Sequence, residues 1–438
     1  MKLNVKEALD SARDTRALLI DRDILEQVSG LFKANFEGRK AVVVCDETTW
    51  KVAGEKVYEC MKKEGMTEIE PFIYDEPKPY AEFGNVEKLE ASLKKHNAIP
   101  VVVGAGTLND LTKLAAARAD RPYMCVATAA SMDGYTAFGA SITFRGAKQT
   151  FSCPAPQAVL ADVEIIRQAP SLMTASGYAD LFAKVTAGAD WIISDALEVE
   201  PIDPRAWSIV QDGLKEALAD PEGAKNGELT AITPLVEGLI LGGFAMQWSQ
   251  TSRPASGAEH QFSHLWNMEH HTHEGETPSH GFQVGIATLA VTRLYEKMLQ
   301  TPLDLLDVEA CCEQWDEWPV WEQKIKEKFQ DTDFLETALT QTQNKYIGKD
   351  ALREQLMTLK TTWPELKERL TEQLVPSEEV EKRLLAVGAP VESEQIGISR
   401  ERLKESFYRA SYIRSRFTVL DIALRTGNLD RWLNEIFE

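Results

Sequence analysis

Seven histidines occur in the 438-residue chain, and six of them, His260, His264, His270, His271, His273 and His280, fall within one short stretch, while His96 stands alone. Imidazole exchanges protons near neutral pH and is a nitrogen ligand for borderline metals, so this stretch is where chemistry is to be sought. His260 and His264 are four apart in GAEHQFSHLWNM, which puts both on one face of a helix. The spacing is that of H-E-x-x-H, but Gln261 stands where the general-base glutamate of a zinc protease belongs, so peptide hydrolysis is not expected. His280 opens a further helical stretch, and Asp180 lies in SGYADLFAKVTAGADW with Lys184 one turn on. Neutral imidazoles and one carboxylate form a set for Zn²⁺, Fe²⁺ or Ni²⁺, and three protein ligands leave the open position that a catalytic metal needs. His270, His271 and His273 share HHTHEGE with glutamates and read as a solvated loop, and His96 as structural or surface.

A second pattern points to phosphate. Val101, Val102 and Val103 run into Gly104-Ala105-Gly106-Thr107-Leu108-Asn109-Asp110, followed by the helix-forming LTKLAAARA. Glycines between a buried strand and a helix let the backbone approach a ligand, and the free amides of the first turn favour an anion. Asn109 occupies the third glycine position of G-x-G-x-x-G, so the turn alone is no standard dinucleotide fingerprint. Asp46, just after the run Ala41 to Cys45, either accepts hydrogen bonds from a ribose, favouring NAD over NADP, or caps the next helix.

The elements that must hold these groups fall into two kinds. Ala41 to Cys45, Pro71 to Tyr74, Pro100 to Val103 and Met124 to Ala127 are short apolar runs separated by amphipathic stretches, the signature of a parallel sheet buried on both faces. Between Gly139 and Ile166, alternating runs about Gly146 predict a hairpin and then a returning strand. Beyond Pro170 the pattern is helical: Ser176 to Val199, Pro204 to Ala219, Leu229 to Trp248, Gly257 to Glu269, Gly281 to Leu299, and an acidic helical remainder. Two domains are expected, an α/β dinucleotide-binding domain over 1–170 and an all-α metal- and substrate-binding domain over 171–438. Trp315, Trp318 and Trp321 read as core or interface residues of a helical layer.

Composition narrows the class. With 48 Lys+Arg against 68 Asp+Glu the net charge is −20, which argues against a nucleic-acid binder. The six cysteines are scattered without a C-x-x-C pair and read as reduced thiols. The charged start MKLNVKEALDSARDTR lacks the apolar core of a secretory leader, and Glu237 and Gln247 interrupt the most apolar helix, so a cytoplasmic protein without membrane insertion is expected.

Four stretches, VVVGAGTLNDLTK, ATAASMDGYTAFGAS, SGYADLFAKVTAGADW and RPASGAEHQFSH with the following His280, and a weaker one including GISRERL and IRSRFTVLD, carry a resemblance. Together they resemble the iron-containing alcohol dehydrogenase and dehydroquinate synthase-like family, and within it most closely the bacterial branch of the glycerol-1-phosphate dehydrogenases. The resemblance implies a homodimeric, metal-dependent NAD- or NADP-linked enzyme that interconverts sn-glycerol 1-phosphate and dihydroxyacetone phosphate. It implies that Gly104, Gly106, Thr107 and Asp110 form the pyrophosphate turn, that Thr128 and Ser131 also contact the dinucleotide, and that Asp133 meets the substrate. Asp180, His260 and His280 would hold the metal, zinc first with nickel or iron as alternatives, and His264 would contact substrate. His264 or a water held by Asp133 would supply the proton. Ala137 stands where the family often has serine, with Thr136 as a substitute hydroxyl. The −20 charge gives an anionic triose no help, so Lys184 or Arg253 is expected to bind its phosphate. A polyol dehydrogenase acting on an unphosphorylated substrate, and a non-catalytic metal- or nucleotide-binding protein, are the alternatives.

Overall fold

The structure, a computed structural model, describes residues 5–76 and 78–438; Pro77 and residues 1–4, where the segment read as lacking a leader begins, lie outside it. Six strands form one sheet in the order β1-β8-β5-β4-β2-β3. They are β1 (Ala17–Asp21), β2 (Ala41–Asp46), β3 (Phe72–Tyr74), β4 (Ile99–Gly104), β5 (Met124–Ala127) and β8 (Ala158–Asp162), and all neighbours pair in parallel. The hairpin β6 (Ala140–Phe144) and β7 (Ala147–Phe151) is antiparallel and separate, as the alternation about Gly146 predicts. The sequence reading left out β1, whose five residues are only partly buried at the sheet edge and so lack the apolar contrast of the central strands.

Strand order places the chemistry. From β2 the chain runs outward to β3 and returns to β4 on the other side, so the carboxyl ends of β2 and β4 flank the switch point where doubly wound sheets bind ligands. Asp46 ends β2, and Gly104 ends β4 in register with Ala127, so the glycine turn and the segment beginning at Thr128 leave the sheet side by side. Val43, Val101, Val103, Val126 and Leu160 bury one face of the sheet against Val28, Phe32, Val57 and Met61 of flanking helices.

By its internal contacts the chain forms two compact units: the residues through Leu181 with Arg205–Ser252 and Ala386–Gly388, and Phe182–Pro204 with Arg253–Leu385 and Ala389–Glu438. In place of one boundary near residue 170, the helices Pro204–Gln211 and Leu229–Ser249 therefore belong to the sheet unit. The reason is packing: Leu229–Ser249 lies on the helices Val5–Leu9, Val163–Ile166, Leu214–Ala217 and Pro221–Lys225. That helix has the length and apolarity to cross a membrane, a correction to the reading that it falls short. Inside the unit its Gln247 donates to Thr136 O (2.6 Å) and Thr15 Oγ1 (2.9 Å) and accepts from the Asp14 amide (2.9 Å), which makes it a core helix.

Two glycines let helices press on the segment that follows β5. A Cβ on Gly243 would stand 2.1 Å from Thr136 Oγ1 and 2.8 Å from the Ala137 nitrogen, and one on Gly177 would stand 2.0 Å from Ala130 O. Backbone cannot retreat there as a flexible side chain would.

The second unit is built of helices joined by loops, with no strand among its described residues, and Trp315, Trp321 and Tyr346 pack together within it. Its internal tie is Asp190, fully buried on the helix Lys184–Ala196. Asp190 accepts the amide of Ala258 (2.7 Å), which starts the helix Ala258–Met268, the amide of Val419 (2.8 Å), which starts Val419–Arg425, and the hydroxyl of Tyr295 (2.6 Å). One carboxylate thus sets the starts of two helices. Burial, then the charge of Glu259, pushes Asp190 up to about 7.

Two expected outcomes follow from this packing. Gly243→Ala should lower the unfolding free energy by about 3 kcal/mol through overpacking, whereas Gly30→Ala, with nothing within 4 Å of its Cβ, should be neutral or stabilise by up to ~1 kcal/mol; urea midpoints distinguish them. For Asp190, the folded state holds the proton more tightly than the unfolded chain, whose aspartate has the ordinary value of 3.8. Its ionisation therefore costs stability progressively as pH rises from about 4 to about 7 and adds nothing above that. The stability difference between wild type and Asp190→Asn should shift toward the variant across that window and then level off; a pH-independent difference would contradict the assignment.

Candidate metal and nucleotide site

At the glycine turn, β4 passes through the extended Ala105 into the helix Gly106–Arg118, and Ala105 offers no side-chain cap. The first amides of that helix are left for an anion of the kind a pyrophosphate supplies. Glycine is required by crowding: a Cβ on Gly104 would stand 2.5 Å from the Leu108 side chain, and one on Gly106 2.8 Å from that of Met132. Asn109, in the third glycine position, is buried and accepts the Tyr123 hydroxyl at 3.0 Å. Asp110 accepts the Ser141 amide (3.1 Å) and lies 3.5 Å from Lys113 Nζ, tying the hairpin to the helix; burial pushes its carboxyl up. Thr107 sits in the first turn of the same helix.

Lys113 was not expected from the sequence to matter. It is buried, and its ammonium donates to three carbonyls, Gly134 (3.1 Å), Ala137 (2.8 Å) and Gly139 (3.0 Å). These close the segment that carries Thr128, Ser131 and Asp133. The Thr128 amide donates to Gly104 O (3.2 Å), and Tyr135 OH donates to Ala129 O (2.6 Å) and lies 3.4 Å from Ser131 Oγ. Thr136 is no substitute for the missing serine: it is fully buried and donates to Ile240 O at 2.7 Å. Asp46 caps its helix in a reciprocal capping box, accepting the Thr49 amide at 2.7 Å.

Asp180 is buried near the end of the helix Ser171–Phe182, and its Oδ2 accepts the Asp133 amide at 3.0 Å. His260 stands on the helix Ala258–Met268 and His280 at the first position of His280–Gln300, capped by Ser279. The two rings are 5.3 Å apart at 60°. One atom each of Asp180, His260 and His280 that could ligate a metal lies within 4.8 Å of the others.

The residue before His260 sets its chemistry. Glu259, fully buried, lies 2.8 Å from His260 Nδ1 and accepts the Gly257 amide (2.6 Å) and Thr186 Oγ1 (2.8 Å). A carboxylate only accepts, so the proton sits on Nδ1 and the lone pair on Nε2, the tautomer a metal needs. Burial pushes Glu259 up, but the hydrogen bond and charge of His260 outweigh it and hold the carboxyl below its ordinary range. Ser263 Oγ lies 3.3 Å from His280 Nδ1. The signal for Glu259 was present in GAEHQ, a carboxylate directly before a ligand histidine.

His264 is half-buried, and burial, then the charge of Arg414, holds its imidazole well below the usual range, so it is neutral at pH 7. Arg253 does not serve as expected. It is fully buried, and its guanidinium donates to Phe417 O (2.9 Å) and Asp190 O (2.8 Å), so it is a structural strut. Lys184 is also fully buried, at the start of its helix. His271 corrects the solvated-loop reading: it is buried, 2.7 Å from Ile396 O and 2.8 Å from Arg402 Nη1. His270 is exposed, 3.3 Å from Asp333, and His96 accepts the Ala98 amide.

The family model for iron-containing alcohol dehydrogenases matches residues 19–170. Among solved structures, a probable glycerol dehydrogenase from Sinorhizobium meliloti 1021 superposes with a TM-score of 0.60 at 15% identity, covering 96% of this chain and 98% of that one, a likeness of fold. The glycerol-1-phosphate dehydrogenase of Bacillus subtilis, named for NAD(P)+, is 36% identical over 266 residues, 59% of this chain and 66% of the relative. That of Halalkalibacterium halodurans, named likewise, is 30% identical over 383 residues, 86% of this chain and 84% of the relative. At that identity and reach, the chain belongs to the glycerol-1-phosphate dehydrogenase family.

Proposed function

We propose that this chain is a divalent-metal-dependent dehydrogenase that interconverts sn-glycerol 1-phosphate and dihydroxyacetone phosphate with NAD or NADP. The observation that carries the reading is the convergence of Asp180, His260 and His280 with Glu259 behind His260, in a chain related to enzymes named for this reaction. One carboxylate and two neutral imidazoles fit Zn²⁺ first, with Ni²⁺ or Fe²⁺ acceptable to the same donors. When bound, the metal polarises the ketone oxygen and the nicotinamide supplies the hydride.

The residues of the chain do the rest. The uncapped amides after Ala105, with Gly104, Gly106 and Thr107, receive the pyrophosphate, and Thr128 and Ser131 border the same ligand. The Asp46 carboxylate, one oxygen of which caps its helix, disfavours a 2′-phosphate and so favours NAD. Asp110 acts indirectly, fastening the hairpin to the nucleotide helix. Asp133 is positioned beside the metal set by the bond from its amide to Asp180, and faces the substrate. His264, neutral, orients the substrate oxygen by hydrogen bonding, and a proton drawn from solvent reaches that oxygen through a water held by His264 or Asp133.

Turnover of dihydroxyacetone phosphate should exceed that of dihydroxyacetone by at least about a hundredfold in kcat/KM, since an ionic contact is worth ~1.5–3 kcal/mol per hydrogen bond. A preference for the unphosphorylated ketone would make the protein a polyol dehydrogenase instead. Elemental analysis should find one divalent ion per chain. Asp180→Ala should lose both metal and turnover while still quenching NADH fluorescence on binding, and Glu259→Gln should weaken metal affinity by about 10–100-fold. Full metal affinity in both variants would refute the ligand assignment.

A further inference from the structure

The helices Ala258–Met268 and His280–Gln300, which carry His260 and His280, pack along each other within one unit. Between them sits a cluster of neutral polar side chains, Ser263 and Asn267 from the first helix and Gln283 from the second. Ser263 is one turn past His260, Asn267 one turn past Ser263, and Gln283 one turn past His280. Ser263 and Gln283 are fully buried. Polar groups at that depth must be hydrogen-bonded to be tolerated, and here every partner is identifiable.

One carbonyl sets the direction of every bond in the cluster. Pro278 O can only accept, and Gln283 Nε2 donates to it at 2.8 Å, so the nitrogen end of the Gln283 amide faces Pro278. The same NH₂ group lies 3.4 Å from Asn267 Oδ1, which leaves the Asn267 nitrogen to donate to Ser263 Oγ at 3.4 Å. Gln283 Oε1, the other end of the amide, lies 3.3 Å from Ser263 Oγ and can only accept the hydroxyl proton. With that single proton spent on Gln283, Ser263 Oγ turns a lone pair to His280 Nδ1, 3.3 Å away. The imidazole proton is thereby held on Nδ1 and the free lone pair on Nε2. A hydroxyl reversed to donate to Nδ1 would strand Gln283 Oε1 in a buried site without its donor.

We propose that Ser263 and Gln283 are positioning residues for the metal, selecting together the tautomer of His280 that presents Nε2. The inference rests on the metal site of the proposed reaction. The two histidines are then set by different chemistry. A carboxylate orients His260, whereas a hydroxyl whose own direction is dictated by an amide orients His280. A second carboxylate would have added to the negative charge already buried at Glu259, and the hydroxyl and amide orient the ring without one.

The test measures zinc affinity by chelator competition in wild type, Ser263→Ala, Gln283→Leu and the double variant. Each single substitution should weaken zinc binding by about tenfold or more. Because Gln283 acts only through the hydroxyl, the double variant should be no weaker than Ser263→Ala alone. Wild-type affinity in either single variant, or losses that multiply in the double one, would overturn the proposal. A second measurement reads the ring proton directly: nitrogen NMR of histidine-labelled protein, with the His280 signals identified by comparison with His280→Gln. In wild type the proton should sit on Nδ1 both with zinc and after its removal, and in zinc-free Gln283→Leu part of it should move to Nε2. A proton on Nε2 in wild type, or no change in Gln283→Leu, would refute the assignment. If wild type binds no zinc at all, the proposed reaction fails, and the zinc-free spectra still decide whether Gln283 sets the His280 tautomer.

Discussion

Two carboxylates buried in one unit, Asp190 and Glu259, are the constraint on which the histidine site depends. Each receives three donors: Ala258 N, Val419 N and Tyr295 OH for Asp190; Gly257 N, Thr186 Oγ1 and His260 Nδ1 for Glu259. Like charges in a low-dielectric interior cannot both ionise cheaply, and the protein resolves this by environment. Asp190, buried and beside the charge of Glu259, holds its proton to about 7. Glu259, bonded to the ring, stays charged. The pair therefore fixes the start of the helix Ala258–Met268 and the tautomer of its first histidine together.

In the sheet unit the corresponding role falls to a cation. Lys113 gathers three carbonyls of the segment after β5, while Gly177 and Gly243 let two helices close on it. The Lys113 charge is held by these carbonyl dipoles as well as by Asp110 at 3.5 Å, so the segment is shaped by the lysine as much as by its own sequence. Asp110 then connects the same lysine to the hairpin.

Much of this was legible in the sequence. The apolar runs gave β2, β3, β4 and β5 within a residue or two, because strands buried on both faces carry an unmistakable pattern. β1 was missed because an edge strand of mixed exposure has no such contrast. The helix read as continuous from Ser176 to Val199 breaks at Ala183, which no proline or glycine announces. His260 and His280 stood out by residue type and spacing, and Asp180 through the family resemblance. Their support did not: Glu259 and Lys113 are ordinary helix residues until the fold buries them. The burial of Arg253 was hidden for the same reason: it lies next to the His260 segment in sequence but donates its guanidinium to the Phe417 and Asp190 carbonyls.

The sheet unit is discontinuous in sequence, taking the residues through Leu181 and then Arg205–Ser252 after an excursion of the chain. During synthesis the last strand, β8, is complete at Asp162, yet the helix that packs against the segment after β5 ends only at Ser249. At ~5–20 residues per second the ribosome needs several seconds to deliver the missing piece. For that interval the sheet unit exists with its strands made and one wall absent, which makes the nascent chain, rather than the finished protein, the form most exposed to proteases and chaperones.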